Sequence, residues 1–199
     1  MTGRLHTDAL TVLRTWSPPD AAQDRLREEY VDHLLREPAG LSRDCRPDHL
    51  TAGALIVSAD RRHVLLTLHA KAQAWFHLGG HCEPGDSTLA GSALREAAEE
   101  SGMHGLELDP TPVHLDRHEV RFCGAGPTAV RHLDVRFVAR APAGAEHAVS
   151  EESLDVRWWP MDALPPQATD LPALVELGLA RLGETQNRVD GSAGSSAAI

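Results

Sequence analysis

The sequence predicts an α/β fold with a mixed β-sheet, because strand-like and helix-like segments alternate along a chain of 199 residues. Apolar residues fill Thr51–Ser58 and His63–His69, which predicts two strands joined by a tight turn at residues 60–62. Leucines and alanines repeat at helical spacing from Leu171 to Leu182, which predicts a helix near the C-terminus. Further strands are predicted at residues 74–78, His114–Phe122, Arg131–Arg140 and Val156–Trp159.

The first 45 residues contain one clear amphipathic segment, which follows Pro18 and Pro19 and ends before Pro38. Asp20 is a suitable N-cap, and Tyr30 and Leu34 belong to an apolar stripe at helical spacing. We predict a helical extension over residues 1–45 that docks on a main domain at residues 46–184. An arm that binds a partner is the alternative. Residues 185–199 are small and polar, which predicts a disordered tail.

The charge balance argues against non-specific nucleic-acid binding. The chain carries 19 basic and 29 acidic residues, a formal charge of -10, which repels a phosphate backbone. A small phosphorylated ligand is compatible with this charge if a bound cation offsets it locally. Because no apolar run approaches the roughly 20 residues of a membrane helix, we expect no membrane insertion.

Cysteine usage favours a reducing compartment. Cys45, Cys82 and Cys123 are odd in number and widely spaced, without a CxxC pair. The N-terminus also lacks the basic and apolar regions of a signal peptide. We therefore expect a cytoplasmic protein.

A segment rich in glutamate is the main chemical signal. On a helix over Ser87–Ser101, Glu96, Glu99 and Glu100 occupy positions i, i+3 and i+4 and share one side. Two unit charges about 4 Å apart cost roughly 4 kcal/mol at an effective dielectric near 20, so the cluster requires positive charge. Arg95 and a hard divalent cation, Mg²⁺ or Mn²⁺, would supply it. A solvated acidic helix face is the alternative.

The sequence "GGHCEPGD", residues 79–86, precedes this helix and predicts a glycine-rich turn. Glycine lets backbone groups approach a ligand without a side chain in the way. The turn and the acidic helix are therefore expected to form one site.

This combination resembles the Nudix hydrolase signature. The matching residues are Gly79, Gly80, Glu83, Gly85, Arg95, Glu96, Glu99, Glu100 and Gly102. Asp86 stands where the signature has glutamate, one extra residue lies between it and Arg95, and Leu78 stands where many members have proline. We expect Asp86 to pair with Arg95 across this longer loop. The resemblance covers about residues 51–164 and implies an α/β/α sandwich around the mixed sheet.

The resemblance also implies roles for individual residues. Metal ligands would be Glu96, Glu99, Glu100 and a backbone carbonyl near Gly80. The catalytic base would be Glu99 or Glu100 on the helix, or Glu151 or Glu152 in a later loop, while Arg95 orients a glutamate. Asp86 and Gly102 would support the signature structurally. Candidates for substrate contact are His77, His81, Glu83 and Trp75.

Histidine is frequent, with 12 residues. His114, His118 and His132 together could bind a transition metal, although their spacing matches no standard zinc pattern. Histidines that are exposed, or that have satisfied hydrogen bonds, are the alternative. A closer set of Nudix proteins shares the late-strand motif that reads "RHLDVRF" here, at Arg131–Phe137.

Three functions follow from these observations. The first is a Mg²⁺-dependent pyrophosphohydrolase acting on a nucleoside diphosphate joined to another group, such as a nucleotide sugar or ADP-ribose, or on a nucleoside triphosphate. The second is a catalytically silent module that binds a nucleotide. The third is phosphoester or isomerase chemistry on the same fold. The oligomeric state is not determined by the sequence; a homodimer could form through the N-terminal helix or residues 161–166.

Overall fold

The computed structural model describes residues 3–120, 123, 129–149, 153–166 and 168–194. Its helices are α1 (Arg4–Thr15), α2 (Ala21–Arg36), α3 (Leu89–Ser101) and α4 (Leu171–Gly194). Its strands are β1 (Asp48–Val57), β2 (His63–His69), β3 (Ala74–Phe76), β4 (Leu78–His81), β5 (Glu107–Val120), β6 (Val130–Arg140) and β7 (Ser153–Pro160). None of these described helices is long and apolar enough to cross a lipid bilayer.

The seven strands form one mixed sheet centred on β1. One edge of β1 pairs in parallel with β6 along its whole length, and β5 pairs antiparallel with β6. The other edge pairs antiparallel with two strands in succession, with β4 at residues 51–54 and with β2 at residues 56–57. This change of partner places β4, and the loop that follows it, beside the middle of the sheet.

Helices cover both faces of the sheet, which confirms the predicted α/β/α sandwich. Ala52, Ala54 and Ile56 of β1 pack in a core cluster that includes residues of α1, α2 and α3. Leu55 and Val57 alternate with them and pack in a second cluster with residues of α4. Both faces of β1 are therefore buried, as expected of a strand in the centre of a sandwich.

The N-terminal extension docks on the sheet. Asp20 caps α2, because its carboxylate accepts hydrogen bonds from the backbone N–H groups of Ala22 and Gln23. Tyr30 and Leu34 are buried in the larger core cluster, which confirms docking and contradicts a free arm. Helix α1 was missed, although Leu13 and Trp16 also enter this core.

The predicted position of the glycine-rich turn is wrong. Gly79 and Gly80 lie within strand β4, paired with Gly53 and Ala52 of β1, so the predicted turn starts only after His81. Residues 74–78 accordingly divide into β3 and the start of β4.

The chain from residue 185 to Gly194 is also not a disordered tail, because α4 continues to Gly194. Thr185 anchors this part by donating a hydrogen bond from Oγ1 to Asp109 Oδ2 of β5 at 2.7 Å. Residues 195–199, and Phe122 at the predicted end of β5, lie outside the described residues.

Candidate active site

Helix α3 is fixed at both ends by local contacts. Thr88 Oγ1 accepts a hydrogen bond from Gly91 N–H at 3.0 Å, and Asp8 of α1 accepts one from Leu89 N–H at 2.8 Å. At the other end Gly102 adopts φ 68°, a left-handed conformation that suits glycine and ends the helix. The small residues Ala93 and Ala97 are fully buried and let the helix lie close to β1 and β4.

The structure brings the acidic residues of α3 to the glycine pair. A Cβ atom on Gly80 would lie 2.6 Å from Glu96 Oε2, so the carboxylate occupies space that only glycine leaves open. Glu100 Oε2 accepts a hydrogen bond from Gly79 N–H at 2.9 Å. The Glu99 side chain is 61% exposed, whereas that of Glu96 is 17% exposed. The structure therefore brings the glycine segment and the acidic helix together.

Arg95 is the positive charge within this site. It pairs with Asp86 through two hydrogen bonds, Nε to Oδ1 at 3.1 Å and Nη2 to Oδ2 at 3.0 Å, which is the predicted ion pair. Its Nη1 also donates to Glu96 Oε1 at 2.9 Å and to Glu99 Oε2 at 3.0 Å. The extra residue in the loop is thus compatible with a two-point contact from the shorter aspartate side chain.

The electrostatics of this pair keep both groups charged. Burial opposes ionisation of Asp86, but hydrogen bonds from Arg95 and from Glu83 N–H outweigh it and hold the pKa of Asp86 below its usual range. The hydrogen bond with Asp86, followed by contact with Glu96, raises the pKa of the Arg95 guanidinium. Arg95 therefore offsets part of the charge of the acidic cluster.

The other candidates occupy different surroundings. Glu83 is 63% exposed and its carboxylate lies 4.0 Å from Arg95 Nη1. Trp75 stacks edge-on against Trp159, with ring centroids 5.2 Å apart, and the Arg157 guanidinium lies 5.1 Å from the centroid of the Trp75 ring. Glu151 and Glu152, the loop candidates for the base, lie outside the described residues.

A buried ion cluster around Arg136 was missed by the sequence analysis. Arg136 is 2% exposed and donates to Asp134 at 2.9 Å, to Asp170 at 2.6 Å and to Asp116 at 3.0 Å. His77 Nε2 lies 3.2 Å from Asp134 Oδ2, so His77 contacts this cluster directly. The alternation of His132, Asp134 and Arg136 along β6 is the signal that could have placed these polar side chains on one face.

A second missed group combines three histidines with a cysteine. His49, His81, Cys123 and His132 place one ligand atom each within 4.8 Å of the others. The trio of His114, His118 and His132 is not gathered in this way among the described residues. His118 instead pairs through Nδ1 with Asp116 Oδ2 at 2.7 Å.

A surface cavity of about 500 Å³ lies away from this chemistry. It is lined by Ser58, Asp60 and His63 at the end of β1, by residues 141–145 and by Trp158. Because no acidic residue of α3 lines it, we do not assign the substrate to this cavity.

Comparison with known proteins identifies the family. The sequence model of the NUDIX domain matches residues 47–177, so the chain belongs to the Nudix family. Because Arg95, Glu96, Glu99, Glu100 and Gly102 of the signature are all present, the protein is a Nudix-type pyrophosphohydrolase. No curated protein sequence matches the chain significantly.

Several solved structures are similar to this chain, and the first of the three that follow shares its fold. The crystal structure of an Ap4A hydrolase binary complex from C. elegans is 16% identical with a TM-score of 0.55, covering 68% of this chain and 98% of that chain. A Nudix-family hydrolase from Clostridium perfringens is 25% identical with a TM-score of 0.46, covering 57% and 82% respectively. The NUDIX domain of Shewanella oneidensis NrtR bound to ADP-ribose is 21% identical with a TM-score of 0.48, covering 67% and 87%.

Proposed function

We propose that the protein is a Mg²⁺-dependent hydrolase that cleaves the pyrophosphate bond of a nucleoside diphosphate linked to another group, or of a nucleoside triphosphate. Nucleotide sugars and ADP-ribose are the substrates we favour, and Mn²⁺ can replace Mg²⁺. The observation that carries the proposal is the close approach of the Glu96 carboxylate to Gly80, where a Cβ would lie 2.6 Å from Oε2, beside Glu99 and Glu100 on the same helix. We also propose a cytoplasmic location, with a homodimer as one assembly to test.

The donor set fits a hard divalent cation. Glu96, Glu99 and Glu100 offer carboxylate oxygens, and the backbone carbonyl of Gly80 is the fourth donor we propose; Mg²⁺ and Mn²⁺ prefer such oxygen ligands. When bound, the cation neutralises the diphosphate, polarises phosphorus and lowers the pKa of a water molecule. Arg95 holds Glu96 and Glu99 in place through Nη1.

The base that accepts a proton from water is proposed among the acids at this site. Glu99 is our first choice because its side chain is more exposed than that of Glu96 and can face solvent and substrate. Glu100 has one carboxylate oxygen engaged by Gly79 N–H. Glu152 is the alternative from the later loop. A catalytic base must lie within hydrogen-bond distance of the attacking water. The base is therefore whichever of Glu99, Glu100 and Glu152 lies that close to the water.

Substrate contact is proposed for Glu83, His77, His81 and Trp75. Glu83 is exposed beside Arg95 and is the best placed of the four to meet a substrate at the acidic site. His77 contacts the buried Asp134, and Trp75 packs on Trp159. We therefore expect their effects to be weaker and to include loss of packing.

A substrate panel tests the proposal. Pure protein is incubated with nucleotide sugars, ADP-ribose, dinucleoside polyphosphates and nucleoside triphosphates, with Mg²⁺ and with chelator. We expect phosphate-containing products that require Mg²⁺. Their rate of formation should fall by at least about 100-fold in Glu99→Gln, since a general base contributes about 10²–10⁴-fold. Glu119→Gln, which changes an exposed acid on β5, is the matched control and should retain activity.

Two results would count against this function. Absence of turnover across the panel, with tight nucleotide binding by calorimetry, would support the silent binding module instead. Products from a phosphomonoester or an isomerised substrate, without pyrophosphate cleavage, would support the third chemistry.

A further inference from the structure

Four side chains from separate parts of the chain meet at one end of the sheet. His49 lies on β1, His81 is the last residue of β4, Cys123 follows β5 and His132 lies on β6. Their ligand atoms all lie within 4.8 Å of one another. None of the four belongs to the acidic helix, so this group is chemically distinct from the proposed Mg²⁺ site.

Strand register explains why these residues meet. His49 pairs directly with His132 across the parallel β1 and β6 ladder. Thr51, two residues further along β1, pairs with His81 of β4. Residues i and i+2 of a strand share one face, so the three histidines project from the same side of the sheet. Their ring centroids are 4.9 to 5.1 Å apart.

The spacing suits a tetrahedral metal with nitrogen and sulfur ligands. Cys123 Sγ lies 3.3 Å from His81 Nε2 and 3.8 Å from His49 Nε2. In a tetrahedral zinc site, bonds of about 2.3 Å to sulfur and about 2.0 Å to nitrogen put these atoms about 3.6 Å apart. Metal binding would require the most distant pair, at most 4.8 Å apart, to approach to about this separation.

The hydrogen bonds around the group leave ring nitrogens that can bind a metal. His49 Nδ1 contacts the Cys45 carbonyl oxygen at 3.1 Å, so this nitrogen carries the proton and Nε2 faces Cys123 with a lone pair. Such a second hydrogen bond is how metal-binding histidines are oriented. His132 Nε2 is buried and has no hydrogen-bond partner among the described residues. An unpaired buried nitrogen is unfavourable, and a metal bond would satisfy it.

We propose that His49, His81, Cys123 and His132 form a closed, four-coordinate binding site for zinc. Three imidazoles and one thiolate prefer a borderline ion such as Zn²⁺ to Mg²⁺. Four protein ligands leave no open position, which is typical of structural rather than catalytic zinc. The ion would tie the chain after β5 to β1, β6 and the end of β4. Arg95 Nη2 donates a hydrogen bond to the His81 carbonyl oxygen at 2.9 Å. By fixing His81, the zinc ion would therefore also stabilise the position of Arg95 in the acidic site.

Cobalt titration of the metal-stripped full chain tests the proposal. We expect one equivalent of Co²⁺ to give intense visible bands of a tetrahedral site and a thiolate-to-cobalt charge-transfer band in the near ultraviolet, both abolished by Zn²⁺ and unaffected by excess Mg²⁺. Protein purified without chelator should contain about one zinc per chain.

Variants assign the ligands. Cys123→Ser should remove the charge-transfer band, and His132→Ala should weaken cobalt binding by more than about 100-fold, beyond the 10–100-fold loss typical of outer-shell changes. Cys45→Ser and His114→Ala, which alter a cysteine and a histidine outside the group, should leave both signals unchanged. Glu96→Gln should also leave them unchanged, which separates this site from the proposed Mg²⁺ site.

Clear outcomes would overturn the proposal. A wild-type chain without the charge-transfer band, or a band that survives in Cys123→Ser, excludes the thiolate ligand. The wild-type measurement requires no variant to fold, so it decides the question by itself. Loss of binding in His114→Ala with retention in His49→Ala would favour the other histidine trio. In the zinc proposal the His81 ring binds the metal and does not contact the substrate. If the purified protein contains no zinc and gives no cobalt bands, the substrate contact of His81 is again the favoured role.

Discussion

Arg95 Nη2 donates a hydrogen bond to the backbone carbonyl oxygen of His81 at 2.9 Å. The same guanidinium binds Asp86 at two points and reaches Glu96 and Glu99 through Nη1. One side chain therefore connects the end of β4, the loop after it and the acidic side of α3. A planar guanidinium with five N–H groups can make these contacts together, whereas an ammonium cannot.

Arg95→Lys is accordingly expected to be a severe change despite its conserved charge. Lysine cannot hold Asp86 at two points while also reaching His81 and Glu96, so the acidic residues lose their alignment. We expect kcat/KM to fall by about 10–100-fold, the usual effect of changing a residue that orients metal ligands. Steady-state kinetics at saturating Mg²⁺ measures this. Arg140→Lys, which alters an exposed pair with Glu107, should keep activity, and equal losses in both variants would contradict the role of Arg95.

Gly80→Ala tests the contact between β4 and α3. The added Cβ would lie 2.6 Å from Glu96 Oε2, so the carboxylate must move. A displacement of about 1 Å at a reacting centre can cost about 100-fold in rate, and we expect a loss of that order. The stabilisation of the fold by Mg²⁺, measured as a shift in Tm, should shrink as well. Gly183→Ala on α4, where a Cβ meets nothing within 4 Å, is the control.

Gln23→Ala tests how the N-terminal extension is attached. The Gln23 side chain donates to the Leu115 carbonyl at 2.9 Å and accepts from Leu115 N–H at 2.6 Å, so it satisfies both backbone groups of a buried residue on β5. Leaving both unpaired should lower the free energy of unfolding by about 2–4 kcal/mol. Urea denaturation measures the loss. Arg25→Ala on the exposed side of α2 should change it by less than about 0.5 kcal/mol.

Asp109→Asn tests the anchor of α4 and has a defined pH dependence. Burial opposes ionisation of Asp109, but Arg181 and Thr185 outweigh it and lower its pKa. A carboxylate with a lowered pKa stabilises the fold above its unfolded pKa of 3.8, and that contribution disappears as the pH falls through the folded pKa. We expect Asp109→Asn to cost about 1–3 kcal/mol at pH 7.

The difference in the free energy of unfolding between wild type and Asp109→Asn should decrease steadily below about pH 4, because Asp109 of the wild type loses its charge as the pH falls. Urea denaturation of both proteins across this range provides the measurement. Asp162→Asn, an exposed acid in the turn after β7, should show no such convergence. A constant difference between wild type and Asp109→Asn at every pH would refute the electrostatic explanation.

Much of the fold was accessible from local sequence patterns. Period-two and period-3.6 patterns located β1, β2, β6, α2 and most of α4, and the Asp20 cap was assigned correctly. The glycine pair was misplaced because its conformation depends on a partner strand. Gly79 and Gly80 are extended through pairing with β1, and a window of neighbouring residues carries no information about that partner.

In the candidate site, too, groups of residues close together in sequence were predictable and groups of distant residues were not. Glu96, Glu99 and Glu100 were placed together by helical spacing alone, and the resemblance to the Nudix signature implied that Asp86 pairs with Arg95. The group of His49, His81, Cys123 and His132 comes from four strands or their ends, and the Arg136 cluster joins β5, β6 and the start of α4. No short-range spacing relates residues so far apart in sequence.

The sequence by itself determined the mixed α/β class and the acidic side of α3, because these depend on periodicity along the chain. Its resemblance to the Nudix signature added the sandwich of helices and sheet and the pairing of Asp86 with Arg95. Only the tertiary structure decided that β4 incorporates the glycine pair and that three histidines and Cys123 converge. Strand order and register fix which distant residues share a face, and these arise from packing the whole sheet between its helices.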